Sequence, residues 1–254
     1  MTNKIGYVPA LDGLRAIAII LVMLAHANFQ LGANGILGVD MFFALSGFLI
    51  TTLLLEEYEI NNTISLAGFY IRRTFRLFPA LYILLIVIFC YVLLFTNSMV
   101  EKVSIINEIK AASLYLYNIS WQWGWGSEGL LLGHTWSLAV EEQFYVLFPI
   151  FVWGLAWFAR KARREALLGW GLLGLTFFSL VYAFGSQGNL FGTGSSSYFG
   201  PVARVWEFSA GALSAWVVYR FRANATKLSG LFAWVGMGLV CVSWLASAQP
   251  ASEF

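Results

Sequence analysis

The sequence predicts an all-α integral membrane protein of about seven transmembrane helices, N-terminus cytoplasmic and C-terminus outside. Three observations carry that expectation. The 254-residue chain is 59% hydrophobic and only 11% charged, whereas an average soluble domain carries about 25% charged residues. Its mean hydropathy is +0.74, and apolar runs near the ~20 residues that cross a bilayer as a helix recur along it. Basic residues also concentrate in alternate connectors, the pattern that sets membrane topology.

Taken in order, spans are expected near 11–30, 38–55, 77–95, 135–158, 166–184, 202–220 and 229–247. In the first, the run 16–25 followed by Ala25-His26-Ala27 mimics a signal-peptide cleavage site. However, Asp12 and Arg15 leave a weakly basic start and the run continues through Phe29, so it reads as a retained span. Lys4 precedes it, Arg72, Arg73 and Arg76 sit in the 56–76 connector, and Arg160, Lys161, Arg163 and Arg164 in the 159–165 connector. Arg222 and Lys227 follow the sixth span. The 31–37 and 185–201 connectors hold no Lys or Arg, and in 96–134 Lys102 and Lys110 are balanced by acids. Trp121, Trp123 and Trp125 give that last segment an interfacial composition, and Gly192–Ser197 reads as a flexible outer loop. No repeat or composition shift divides the chain, so a single transmembrane domain is expected over 1–254.

Several function classes drop out. A net charge of +2 gives no nucleic-acid footprint. Cys90 and Cys241 lie in apolar runs and suggest neither a disulfide nor a redox role. No metal-ligand cluster is read. A retinal Schiff base needs a buried lysine, and 229–247 has none.

What remains is polar residues in apolar helices, which usually face a protein interior that uses them. Arg15 and His26 are eleven residues apart, which on a helix puts them on one face, ~16 Å apart along the axis. Asp12 can pair with Arg15 three residues on. His26 is suited to general-base work near neutral pH. Asp40 opens the second span, as a functional carboxylate or as an N-cap. Ser46-Gly47 reads most simply as a close helix contact, since nothing local would activate a serine.

Arg72, Arg73 and Arg76 are three or four apart, so one helix face would present a guanidinium cluster suited to phosphate oxygens. By charge alone, ordinary topology or anionic-lipid binding is the better explanation of them. The fourth span opens at His134 and carries Glu141, Glu142 and Gln143. Glu141 shares a face with His134, while a buried carboxylate needs a partner, for instance an arginine of another span. Arg204 and Glu207 on the sixth span are candidate partners.

Together these segments resemble the acyltransferase family 3 of integral membrane proteins, which O-acylate cell-surface sugars. The matching stretches are Pro9–Arg15 with His26, Gly38–Asp40 through Leu49, Arg72–Arg76 through Pro79, His134–Leu138 through Tyr145, and Arg204–Phe208 with Gly211–Leu213. The resemblance implies that Arg15 and His26 form the family's first-helix motif, with His26 catalytic. It implies further that Arg73 and Arg76 contact an acyl-coenzyme A donor, and that Glu141 and Arg204 occupy positions the family usually keeps. Members usually have about ten spans, so seven implies a shortened form.

The expectation is therefore a membrane O-acyltransferase of the bacterial inner membrane, moving acetyl from cytoplasmic acetyl-coenzyme A to a sugar hydroxyl. His26 acts as base or acyl carrier, Glu141 or Asp40 orients it, and Arg15, Arg72, Arg73 and Arg76 bind the donor. His134, Arg204, Glu207 and Ser46 are substrate or structural candidates, and membrane lipids and a glycan acceptor are the partners. A transporter, or an inactive truncated acyltransferase, are the rival readings.

Overall fold

The computed structural model describes residues 9–27, 35–120, 131–187 and 199–221. Among them the regular structure is helical, with no strand. The helices are α1 (Pro9–His26), α2 (Gly35–Asn61), α3 (Leu66–Phe95), α4 (Met99–Ser113), α5 (Tyr117–Ser120), α6 (Thr135–Lys161), α7 (Ala166–Gln187) and α8 (Pro201–Arg220). Five of them, α1, α2, α3, α6 and α7, are long and apolar enough to cross a membrane. The chain is an integral membrane protein of all-α class. α8 covers the expected sixth span at 20 residues, but Arg204, Glu207 and Arg220 lower its apolarity. The span expected at 229–247, the tryptophan segment and the Gly192–Ser197 loop lie outside the described residues.

Two expected connectors are corrected. The 56–76 connector is helical for most of its length: α2 runs on to Asn61 and α3 begins at Leu66. The side chain of Ser65 accepts from the Gly68 N–H at 3.2 Å and caps α3 ahead of the arginines. Asn62 follows α2 with φ of 54°, a left-handed conformation that asparagine tolerates at a helix end. The 96–134 segment is not simply interfacial chain, because it contains α4 and α5. Ser98 caps α4 by accepting from the Glu101 N–H.

The chain divides into two compact units. One takes α1, α2 through Ile60, Gly169–Leu173 of α7, and α8 from Glu207. Here α2 and α8 touch main chain to main chain at Gly47 and Gly211. A Cβ on Gly47 would collide with the Phe208 carbonyl, and one on Gly211 with the Ala44 carbonyl. The Phe43 and Phe208 rings stack at 4.4 Å beside this crossing. Small residues permit such approach where lipid supplies no hydrophobic drive.

The other unit takes α3 to α6, the rest of α7, and α8 to Trp206. Its core joins Leu81 and Leu85 of α3, Ala111 and Ala112 of α4, Tyr117 of α5, Leu132, and Ala139 of α6. α3 and α6 run antiparallel: Tyr70 donates to the Val146 carbonyl at 2.6 Å, and Arg73 further along α3 meets Glu141 earlier on α6. Arg160 correspondingly donates to the Asn62 carbonyl at 3.4 Å. The connectors that contain Asn62 and Arg160, assigned to one side of the membrane by their basic charge, thus meet.

Candidate active site

In the first unit α2 seats α1. A Cβ on Gly38 would lie 2.5 Å from the Ala18 carbonyl oxygen and 2.8 Å from Val22 Cγ2, so the bare glycine lets the two helices close. One turn beyond, His26 ends α1 with its ring exposed and its Nδ1 2.8 Å from the Val22 carbonyl oxygen. A carbonyl only accepts, so the neutral ring carries its proton on Nδ1 and keeps Nε2 as the basic nitrogen. Arg15 Nη1 pairs with Asp12 Oδ1 at 3.4 Å, the contact their spacing predicts.

Asp40 is half-buried in the second turn of α2. The N-cap reading of Asp40 is therefore corrected: α2 begins at Gly35, ahead of the Gly38-Val39-Asp40 motif. Two residues turn a helix by about 200°, so Asp40 lies on a different face of α2 from the Gly38 contact with α1. Ser46 is buried beside the Gly47 crossing, and Glu207 is buried on α8 just before Phe208.

In the second unit the three arginines part. Arg72 and Arg76 are exposed, while the side chain of Arg73 is 18% exposed and turns to α6. The expected single guanidinium face is thus divided, because Arg73 finds a buried carboxylate one helix away. Arg73 Nη2 lies 3.5 Å from Glu141 Oε1, whose side chain is 5% exposed. The Tyr145 hydroxyl donates to the same Oε1, and the Arg73 guanidinium lies 3.7 Å over the Tyr145 ring. The carboxylate that had to be paired is paired, by Arg73 of α3. Arg204 instead lies 5.6 Å over the Trp136 ring, which meets Phe199 edge to face at 5.0 Å. Beside this set, Oε1 of Glu142 and Nε of Arg73 are buried without a hydrogen-bond partner among the described residues. His134 is exposed at the N-cap position of α6 and makes no side-chain cap bond.

Further polar residues hold α6, and of these sequence reasoning had named Gln143 but not its partners. Asn118 and Gln143 exchange amide hydrogen bonds of 3.2 and 2.9 Å. Gln143 also donates to the Tyr115 carbonyl at 2.8 Å, and Asn118 to the Phe199 carbonyl at 3.2 Å. Tyr115 takes φ of 53° at the end of α4, where Leu116 N–H bonds back to Ala111 and Tyr115 N–H to Ala112. Burial, with smaller contributions from the Glu142 carboxylate and Tyr82, pushes the Tyr115 phenol up to about 12, so it stays protonated across physiological pH. Glu108 of α4 is fully buried and its Oε2 accepts from the N–H groups of Leu131 and Leu132 at 3.1 and 2.7 Å. Ser179 donates to the Val202 carbonyl at 2.6 Å and accepts from the Trp206 N–H at 2.8 Å, bracketing one rung of α8 next to Arg204. The available signals were a carboxylate in the Ile105–Glu108–Ala111–Ala112 stripe and the i,i+4 spacing of Glu141 and Tyr145.

Chemically, the first unit offers a histidine with an assigned basic nitrogen. The second offers a braced carboxylate and two exposed guanidinium groups. No group of three or more potential metal ligands occurs among the described residues.

Comparison with known proteins identifies the family of the chain. No solved structure matches the chain. A peptidoglycan O-acetyltransferase, OatA, of Listeria monocytogenes is 34% identical over 220 residues, covering 83% of this chain and 34% of that protein. A Staphylococcus aureus (strain COL) protein, whose name marks its O-acetyltransferase activity as provisional, is 34% identical over 237 residues, 89% of this chain and 38% of its own. The chain therefore spans well under half the length of these curated relatives. The family model described as an acyltransferase domain matches residues 8–252, and the chain belongs to that family, acyltransferase family 3.

Proposed function

We propose that this protein is a membrane O-acyltransferase that moves an acetyl group from acetyl-coenzyme A to a hydroxyl of a cell-envelope sugar. The observation that carries the reading is His26 Nδ1 held on the Val22 carbonyl, in a chain whose family and relatives are acyl-transferring. The name of the Listeria relative supports peptidoglycan as the first acceptor to test.

His26 Nε2 removes the proton of the acceptor hydroxyl while its oxygen attacks the thioester carbonyl carbon. Collapse of the tetrahedral intermediate breaks the C–S bond, and the imidazolium returns its proton to the departing thiolate, giving ester and free coenzyme A. The Val22 carbonyl keeps accepting from Nδ1 throughout and so steadies the charged ring. Arg15, on the same helix, is proposed as a cationic group for the donor; in the other unit, Arg72 and Arg76 are proposed as guanidinium groups suited to phosphate oxygens. Asp40, Ser46 and Glu207 share the unit that carries His26, and Asp40 and Ser46 are proposed to shape the acceptor end; His134, Arg204 and Glu207 are proposed to support the helices of their own units.

The donor is made in the cytoplasm, so the protein is placed in the bacterial inner membrane with its N-terminus inside, following its basic connectors. Membranes containing the protein are supplied with acetyl-labelled acetyl-coenzyme A and peptidoglycan. Label appearing in alkali-labile esters supports the reading, and label staying in the donor refutes it.

A further inference from the structure

We infer that Arg73 and Arg76 divide their labour: Arg73 is a positioning residue locked to Glu141 and Tyr145, and Arg76 is the guanidinium that meets donor phosphate. The inference deepens the proposed donor site and rests on that reading.

Three contacts join Arg73, Glu141 and Tyr145 into one set. Its Nη2 meets Glu141 Oε1 at 3.5 Å, its guanidinium lies 3.7 Å over the Tyr145 ring, and the Tyr145 hydroxyl donates to that same Oε1. Glu141 and Tyr145 are one turn apart on α6, so a single helix face presents both the anion and the ring to α3. A guanidinium bound to a buried carboxylate has its charge neutralised and its planar face covered. Pulling it to a phosphate would take its positive charge away from the buried Glu141 carboxylate, a cost that disfavours the move. Arg76, three residues on, is exposed and has no ion-pair partner among the described residues. Its fork therefore remains available for bidentate contact with a phosphate.

Lysine in place of Arg73 keeps the charge but loses the planar stack on Tyr145. The inference thus separates binding from turnover. Calorimetric titration of coenzyme A into detergent-solubilised protein reads binding, and acetyl transfer reads KM and kcat. Arg76→Ala is expected to weaken coenzyme A at least tenfold and raise donor KM in parallel. Arg73→Lys and Glu141→Gln are expected to keep coenzyme A affinity and donor KM within about twofold while lowering kcat at least tenfold. The double variant Arg73→Lys/Glu141→Gln is expected to be no worse than the poorer single, because both changes break one unit. Tyr145→Phe, which keeps the ring and loses only the hydroxyl, is a milder variant expected to shift kcat in the same direction with KM unmoved. Loss of coenzyme A affinity in Arg73→Lys equal to that in Arg76→Ala overturns the division. So does undiminished kcat in Arg73→Lys. If the wild-type protein binds no coenzyme A, it is the proposed donor that fails, an outcome distinct from either of these.

Discussion

Gly211 of α8 lies directly against the Ala44 carbonyl of α2, and three residues back Phe208 presents its own carbonyl to Gly47. The crossing is reciprocal, backbone on backbone, so neither partner can yield by rotating a side chain. Gly47→Val or Gly211→Val must separate the two helices along the unit that also carries His26. Overpacked contacts of this kind cost about 1–3 kcal/mol and sometimes more. Thermal melting of the detergent-solubilised variants is expected to show both strongly destabilised, with Gly→Ala intermediate; melting unchanged in Gly211→Val contradicts the crossing.

Glu108 gives a test in the other unit. Its carboxylate takes two backbone N–H groups of the segment leading into α6. Glu108→Ala leaves both donors without this acceptor, at about 1–3 kcal/mol for the buried Leu132 N–H and less for that of the exposed Leu131. Glu108→Gln keeps an acceptor oxygen and is expected to recover most of that loss. Denaturant or thermal unfolding of both variants checks the order; equal stability of Ala and Gln variants contradicts the bond.

The pairing of Asn118 with Gln143 is expected to be energetically coupled. Each amide satisfies the other and a backbone carbonyl besides. Asn118→Ala and Gln143→Ala should each destabilise, and the double variant by clearly less than their sum. A double-mutant cycle on melting temperature measures it, and strict additivity counts against the clasp.

The proposed orientation rests on the basic connectors and is testable without activity. With Cys90 and Cys241 replaced by serine, a cysteine introduced at position 190 is expected to react with a membrane-impermeant maleimide on intact cells. One introduced at position 162, between Lys161 and Arg163, is expected to react only after permeabilisation. The reverse pattern overturns the proposed side of entry for the donor.

Much of the fold was legible because hydropathy is a strong signal: α1, α2, α6, α7 and α8 fall close to the expected spans. The start of α3 was not, because Arg72, Arg73 and Arg76 look like connector charges until Ser65 is seen to cap the helix ahead of them. α4 escaped because Glu101, Lys102, Glu108 and Lys110 break any spanning run, and a fully buried glutamate is the residue least expected on an apolar stripe. At the site, the need for a cation beside Glu141 was readable from burial alone, but its identity was not. Arg73, Arg204 and the other arginines are equivalent until helix packing chooses one. The hold on His26 was similarly hidden, since a backbone carbonyl four residues back leaves no mark in side-chain identity.

The central claim is that His26 removes a proton during acetyl transfer, and its most direct measurement is transfer of labelled acetyl from acetyl-coenzyme A to peptidoglycan by membranes carrying His26→Ala. General-base loss is worth roughly 10²–10⁴-fold, so transfer is expected to fall by at least a hundredfold with the amount of folded protein unchanged. Transfer by His26→Ala within a few-fold of wild type would contradict the account.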